Sequence, residues 1–333
     1  MEALSSSLDE LSLSPVWAYG SDVGALCLAI IENDVGVAAE ILRHRPDLVN
    51  YRRSGVAGRS SPGGSTFLHD AARNGAVHVA AMLLDAGAEV DAVAVVGGLR
   101  VTPLELVGPS GYGVLPLLLA AGADPDGVRE PRRMTLLRKA AFSFAYSGFK
   151  PPVEALLRAG ACPDGPSWSS PLLFAADFGG PPFSESNFAI AKVLIAWGAH
   201  VPAASSTFRQ TVWYSQFGAD VPPVLRTCPR MTVQEREDSS AEWRAAVSTA
   251  YAMMPSLALR VWNADAVDHW LALLYTACYG VDADTATVTA EGLDWALAPS
   301  KRMRPRGCEI LGKGAHPSTP PWVGALLCRG FHA

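Results

Sequence analysis

The sequence has no run of about 18 or more apolar residues, so a membrane-spanning helix is not expected. It has no Cys-x-x-Cys pair. Its six cysteines, Cys27, Cys162, Cys228, Cys278, Cys308 and Cys328, are scattered along the chain. That spacing fits reduced, mostly buried thiols better than a disulfide framework. It has no excess of positive charge, and a net charge of −5 gives no global reason to expect a nucleic-acid partner. The opening stretch MEALSSSLDELSLSP has neither the basic start nor the apolar core of a secretory signal. These absences together lead to the expectation of an intracellular protein, cytoplasmic or nuclear. Catalytic signatures are missing too. His-Glu-x-x-His, Gly-x-Ser-x-Gly and kinase motifs do not occur, and Leu311-Gly-Lys-Gly-Ala315 lacks the spacing of a phosphate loop. No enzymatic activity and no cofactor are expected.

What is present is apolar material. Hydrophobic residues make up 49% of the 333 residues and charged residues 18%, enough for a substantial core. A chain of this length holds two ordinary domains or one elongated repeat array. The repeat is visible. Thr66-Phe-Leu-His-Asp-Ala-Ala-Arg-Asn-Gly75 is followed by Val77-His-Val-Ala-Ala-Met-Leu-Leu84 and then Gly87-Ala-Glu-Val-Asp91. Apolar and small residues recur at helical spacing, Gly75 interrupts them, and Gly87 stands where a helix places a left-handed cap. The unit reads as helix, tight turn, helix, Gly cap, loop.

The same grammar returns downstream. Thr102-Pro-Leu-Glu-Leu106 leads to Leu117-Leu-Leu119 and Gly122-Ala-Asp-Pro-Asp126. Thr135-Leu-Leu137 leads to Val153-Glu-Ala-Leu-Leu157 and Gly160-Ala-Cys-Pro-Asp164, and Ser170-Pro-Leu-Leu173 leads to Val193-Leu-Ile195 and Gly198-Ala-His-Val201. A weaker first copy runs from Leu26, Ala29 and Ile30 through Ile41-Leu42 to Asp47-Leu-Val-Asn50. The steps between Leu26, Leu68, Leu104, Leu136 and Leu172 are 42, 36, 32 and 36 residues. This pattern resembles the ankyrin repeat family, whose unit of about 33 residues opens with Thr-Pro-Leu-His-x-Ala. The resemblance covers residues 22–203. The opening histidine survives only at His69, with Cys27, Glu105, Leu137 and Leu173 in the other copies.

The resemblance implies an all-α solenoid of about five helix-turn-helix units, in which each unit hides its apolar face against its neighbours. The remaining chain divides by composition. Residues 1–21 form a flexible N-terminal segment, 204–298 a helical C-terminal region, and 299–333 a Pro-rich irregular tail with the basic run Lys301-Arg-Met-Arg-Pro-Arg306. Six of the nine tryptophans follow residue 204, which argues for a folded region, part of it serving as a divergent cap. Helices are expected over Ala241–Tyr251, Ala266–Tyr279 and Ala290–Ala298. In the second of these, Trp270, Leu273, Leu274 and Ala277 share a stripe. A ubiquitin-ligase-recruiting ending, present in some ankyrin proteins, has no convincing match here.

The implied function is binding of another protein, as a scaffold or adaptor. Arg52, Arg53 and Arg59 fall in the loop after the first unit, Arg100 in the next, and Arg129, Arg132 and Arg133 in the third. Arg73, Arg138 and Lys139 lie on first helices. If the ankyrin geometry holds, these cations line one concave edge, while Glu32, Asp34, Glu40 and Asp85 lie elsewhere. Such a strip suits an acidic partner segment, because arginine reaches carboxylate or phosphate with two donors. The alternative is that they are ordinary solvated loop residues. Phe67, Tyr112 and Trp168 are the candidate apolar anchors near the loop tips. In the resemblance His69 is structural, tying a helix start to the neighbouring loop. Cys308, His316, Cys328 and His332 could form a zinc set, the last two spaced Cys-x3-His, but the first pair is widely spaced and flanked by prolines, and they read rather as scattered residues. Two other functions compete: a structural subunit of a larger assembly, and an enzyme with its site after residue 204, for instance around Asp265, Asp268 and His269.

Overall fold

A computed structural model of the protein describes residues 22–53, 64–96, 98–108, 111–127, 134–147, 151–165, 171–172, 185–200, 228–254 and 264–279. The segments 1–21 and 299–333 and the helix expected over Ala290–Ala298 lie outside the described residues. Helices α1 (Asp22–Glu32) and α2 (Val35–His44) are followed by a 3-10 turn at Pro46–Leu48. Next come α3 (Phe67–Asn74), α4 (Val77–Asp85), strands β1 (Ala94–Val96) and β2 (Leu99–Val101), then α5 (Pro103–Leu106) and α6 (Leu115–Ala120). Helices α7 (Leu136–Ser147), α8 (Pro151–Ala159) and α9 (Glu185–Ala196) precede α10 (Val233–Ala252) and α11 (Ala264–Tyr279).

The best-formed pair shows why these residues fold as they do. Thr66 and His69 make a capping box at the start of α3, satisfying backbone donors that the first turn leaves over. Leu68, Ala71 and Ala72 bury one stripe completely while Arg73 and Asn74 stay outside. Gly75, at φ +71°, closes the helix in the left-handed region and turns the chain into α4. In the first pair Asn33 does the same work at φ +53°, a conformation asparagine tolerates better than most residues.

Helices stack on their counterparts. α1 packs on α3 and α3 on α5, while α2, α4, α6 and α8 form a second row. Small residues at Ala71, Ala72, Ala140 and Ala141, all 1% exposed or less, let backbones approach closely. A ladder of side chains ties the loops. Asn50 accepts from the Glu89 amide at 2.8 Å and donates to the Gly87 carbonyl at 3.0 Å. Asp91 accepts from Asp124 N–H at 3.3 Å, Asp126 from Cys162 N–H at 2.9 Å, and Asp164 from His200 N–H at 2.7 Å. The last residue of each Gly-Ala-x-x-Asp ending therefore caps the same ending of the next unit.

Two expectations are corrected. The loop between the second and third units contains an antiparallel hairpin, with Ala94 opposite Val101 and Val96 opposite Leu99, so the fold is mostly but not wholly helical. Gly98, at φ +81°, supplies the tight turn that a residue with a Cβ adopts only with strain. The apolar stripe of α11 is also different. Val267, Trp270, Leu271, Leu274, Tyr275 and Cys278 are buried, whereas Leu273 is 37% exposed. The helix is wedged between α10 on one side and α6 and α8 on the other, so a broader stripe than one neighbour requires is covered.

α10 and α11 pack against each other and lie across α6 and α8. α10 begins eight residues before the expected Ala241, because Thr232 and Glu235 form a capping box ahead of a polar first half. Its start abuts the end of α9: Met231 N–H donates to the Ala196 carbonyl at 2.9 Å, and Arg236 donates to the Trp197 carbonyl at 2.8 Å. All of Leu115–Leu119 in α6 is buried, with α10 and α11 covering the side that the repeats leave, whereas α4 buries Val77, Val79 and Leu83 against α2, α3 and α6. Among the described residues no helix is long and apolar enough to cross a membrane.

Replacing Asp126 with alanine removes the acceptor for Cys162 N–H, and should lower the unfolding free energy in urea by about 1 kcal/mol with faster exchange at the Cys162 amide. Gly198→Ala should cost more, since φ is +99° and the added methyl falls on the Arg236 guanidinium; a melting temperature unchanged from the parent would contradict that packing.

Candidate partner-binding face

The cations expected on the concave edge have different environments. Arg53 is half-buried: its guanidinium contacts Cys27 Sγ at 3.2 Å and Ser65 Oγ at 2.8 Å, pairs with Asp70, and lies 5.6 Å from the centre of the Phe67 ring. Its own backbone bridges to Ser65. Arg53 is thus a strut between the first and second units and not an available partner contact. Arg52 reaches across to the next loop, donating to the Val93 carbonyl at 3.0 Å and to Glu89 at 2.7 Å. Both partners are about half exposed, so this pair contributes little to stability and leaves the charges accessible.

Arg73 is exposed on α3, and Arg100 is exposed on β2 directly opposite Val95. Lys139 is half-buried and donates to the Glu105 carbonyl at 2.6 Å, tying the fourth unit back to the third. Arg138 is also half-buried, and burial lowers the pKa of its guanidinium. Arg59, Arg129, Arg132, Arg133 and Trp168 lie outside the described residues, as do Cys308, His316, Cys328 and His332.

Two expected apolar anchors are corrected. Phe67 is fully buried because it is the first residue of α3, under Arg53 and against Tyr51. Tyr112 is 1% exposed because α11 lies over the turn before α6. The exposed apolar side chains on the loops, the hairpin and α7 are others, Tyr51, Val95, Leu99, Met134 and Phe142, each between 36% and 47% exposed, while Ile31, Val233, Met253 and Leu273 are exposed on or beside α1, α10 and α11. The sequence carried a signal for two of them, since Ala94-Val-Val-Gly-Gly-Leu-Arg-Val101 places apolar residues around Gly-Gly in the manner of a hairpin. Nothing in the sequence pattern marks Tyr51, Met134 or Phe142 as exposed.

His69 organises the centre of this face. Its Nδ1 accepts from the Thr66 amide at 3.1 Å, which places the proton on Nε2, facing the Val101 carbonyl at 3.2 Å. The ring therefore joins the start of α3 to the end of the hairpin. In the third unit Glu105 takes the same place. Its carboxylate accepts from the Thr102 amide at 2.8 Å, but carries no proton to donate onward when ionised, and Lys139 supplies the tie from the opposite direction. Asp268, named among candidate enzyme residues, meets His78 Nε2 at 2.7 Å, with His269 exposed beside it. The Asp265 side chain lies outside the described residues.

Burial pushes the His69 pKa down to about 4, with Arg52, Arg73 and Arg53 adding repulsion and the Val101 carbonyl opposing it. The folded pKa lies below the unfolded one, so between pH 6.5 and about 4 the unfolded chain holds the proton more tightly. Stability from neutral His69 is complete above about pH 6.5 and is lost as pH falls toward 4, by on the order of 3 kcal/mol. Burial raises the Asp70 carboxyl and acts in the opposite sense, so the useful quantity is a difference. Unfolding free energies of the parent and His69→Gln, measured from pH 7 to 4, should converge as the pH drops.

Residues 63–94 match a family model for the ankyrin repeat. No curated protein matches the chain. The matched stretch takes in α3, its His69 capping box, α4 and the loop carrying Asp91. Residues 63–94 are thus similar to the ankyrin repeat, a family whose members generally mediate protein–protein interaction.

Proposed function

We propose that the protein is an intracellular scaffold or adaptor that binds another protein on its loop and first-helix face, and that it is not a catalyst. Residues 22–203 act as five stacked ankyrin units, the second of which is the matched repeat. The third, fourth and fifth units repeat the Gly-Ala ending and its cap to the preceding unit at Asp124, Cys162 and His200. The segment around Met231 and Arg236 acts as the cap at the far end of the array, where it closes the end of α9.

One observation carries the choice of face. α10 and α11 occupy the side formed by α6 and α8, while the other side retains exposed Arg73 and Arg100 beside exposed Tyr51, Val95, Leu99 and Phe142. Arginine and aromatic side chains are the groups that interfaces favour at their centres. The partner segment is acidic with apolar side chains, matching guanidinium groups set among apolar ones. Among the described cations Arg53 is held by Asp70, whereas Arg73 on α3 and Arg100 on β2 are exposed, so the charge reversals are made at those two.

The test is affinity purification of the whole protein, followed by cross-linking to locate the contact and titration of the identified partner. Arg73→Glu with Arg100→Glu should weaken binding at least about tenfold, more steeply at low salt, with the helical content unchanged. Cross-links confined to the exposed side of α10, or affinity indifferent to both reversals, would remove this face from the account.

A further inference from the structure

We infer that α10 and α11 are a clasp that completes the third unit, so that the third unit and these two helices form one cooperative structure and not a scaffold with an appended module. The third unit is irregular. Its first helix, α5, spans only Pro103–Leu106, against the eight residues of α3. Residues Gly111 to Val114 form the turn that leads into α6. At the start of α6, Pro116 has no N–H to reach back to the carbonyl four residues earlier, that of Tyr112.

α11 supplies what this turn lacks. The Tyr279 hydroxyl donates to the Tyr112 carbonyl at 2.7 Å, and the Tyr275 hydroxyl donates to the Gly113 carbonyl at 2.9 Å. Four residues apart on one helix, the two rings lie on the same face, 6.3 Å between centres, and both are buried. The hydroxyls meet consecutive carbonyls, a fit that depends on the turn as it stands.

Further contacts fix the clasp at other points. His78 of α4 accepts from Asn33 at Nδ1, 3.0 Å away, and its Nε2 meets Asp268 of α11 at 2.7 Å. Arg236 of α10 seats on the end of α9. Within the clasp, Trp243 Nε1 donates to the Cys278 carbonyl at 2.8 Å and Trp270 Nε1 to the Ala250 carbonyl at 2.9 Å, so the two helices move as one piece. The contacts of α10 and α11 span turns and helices from the second unit to the fifth. All of Leu115–Leu119 in α6 is buried, and α10 and α11 supply part of that cover, without which α6 would expose several leucines.

The experiment is hydrogen exchange on the full chain carrying Tyr275→Phe and Tyr279→Phe. Both substitutions keep the buried rings and remove only the donors. Amides of Leu117–Ala121 should exchange at least about tenfold faster, while those of α1 and α2 keep their parental rates. Should the double variant fail to fold, the same comparison is read on Tyr279→Phe alone. Faster exchange confined to residues 233–279, with α6 unchanged, would show that the helices ride on the repeats independently and would overturn the inference, as would parental rates throughout.

Discussion

Each helix pair in this protein has an apolar face that it cannot cover by itself. A pair such as α3 and α4 buries Leu68 and Ala71 on one side and Leu83 on the other only because α1 and α2 precede it and α5 and α6 follow. Stability is thus a property of neighbours, and cohesion is transmitted along the stack. The hydrogen-bonded ladder from Asn50 through Asp91 and Asp126 to Asp164 sets the spacing at which those faces meet. Each rung is modest; its value lies in orienting loops that would otherwise leave amides unsatisfied.

This arrangement divides labour between residues that look alike. Arg53 and Arg73 both stand near His69, and both carry the same charge. Arg53 is consumed by the junction, held by Asp70, Ser65 and Phe67, whereas Arg73 projects from α3 into solvent. A similar split separates Phe67 from Tyr51, whose rings lie 6.5 Å apart, one buried and one exposed. Recognition surface and structural joint are interleaved at the scale of single residues.

The clasp changes which part of the molecule is available. α10 and α11 are seated on α6 and α8, and under the proposed function a partner meets the loops, the hairpin and the first helices. The same seat accounts for the burial of Tyr112 and for two tyrosine hydroxyls pointing at backbone carbonyls. A protein that uses its own C-terminal helices in this way has less surface to offer and a more rigid third unit to offer it with.

Much of this was legible beforehand. Helical periodicity, left-handed glycines and the recurring Gly-Ala-x-x-Asp fixed the helix pairs, because these are local requirements of capping and burial. The hairpin and the start of α10 were not read from the sequence, although Gly-Gly between apolar residues and Thr232 with Glu235 are local signals that fit them. What α11 meets was not legible: His78 and Asp268 are 190 residues apart and Tyr279 and Gly113 nearly as far, and no local rule links such positions. The same holds for Arg53 and Arg73, which sequence treats as equals. Charge and periodicity are written residue by residue, but which charge is spent on a neighbour and which face is hidden depends on chain segments that meet only when the whole molecule folds.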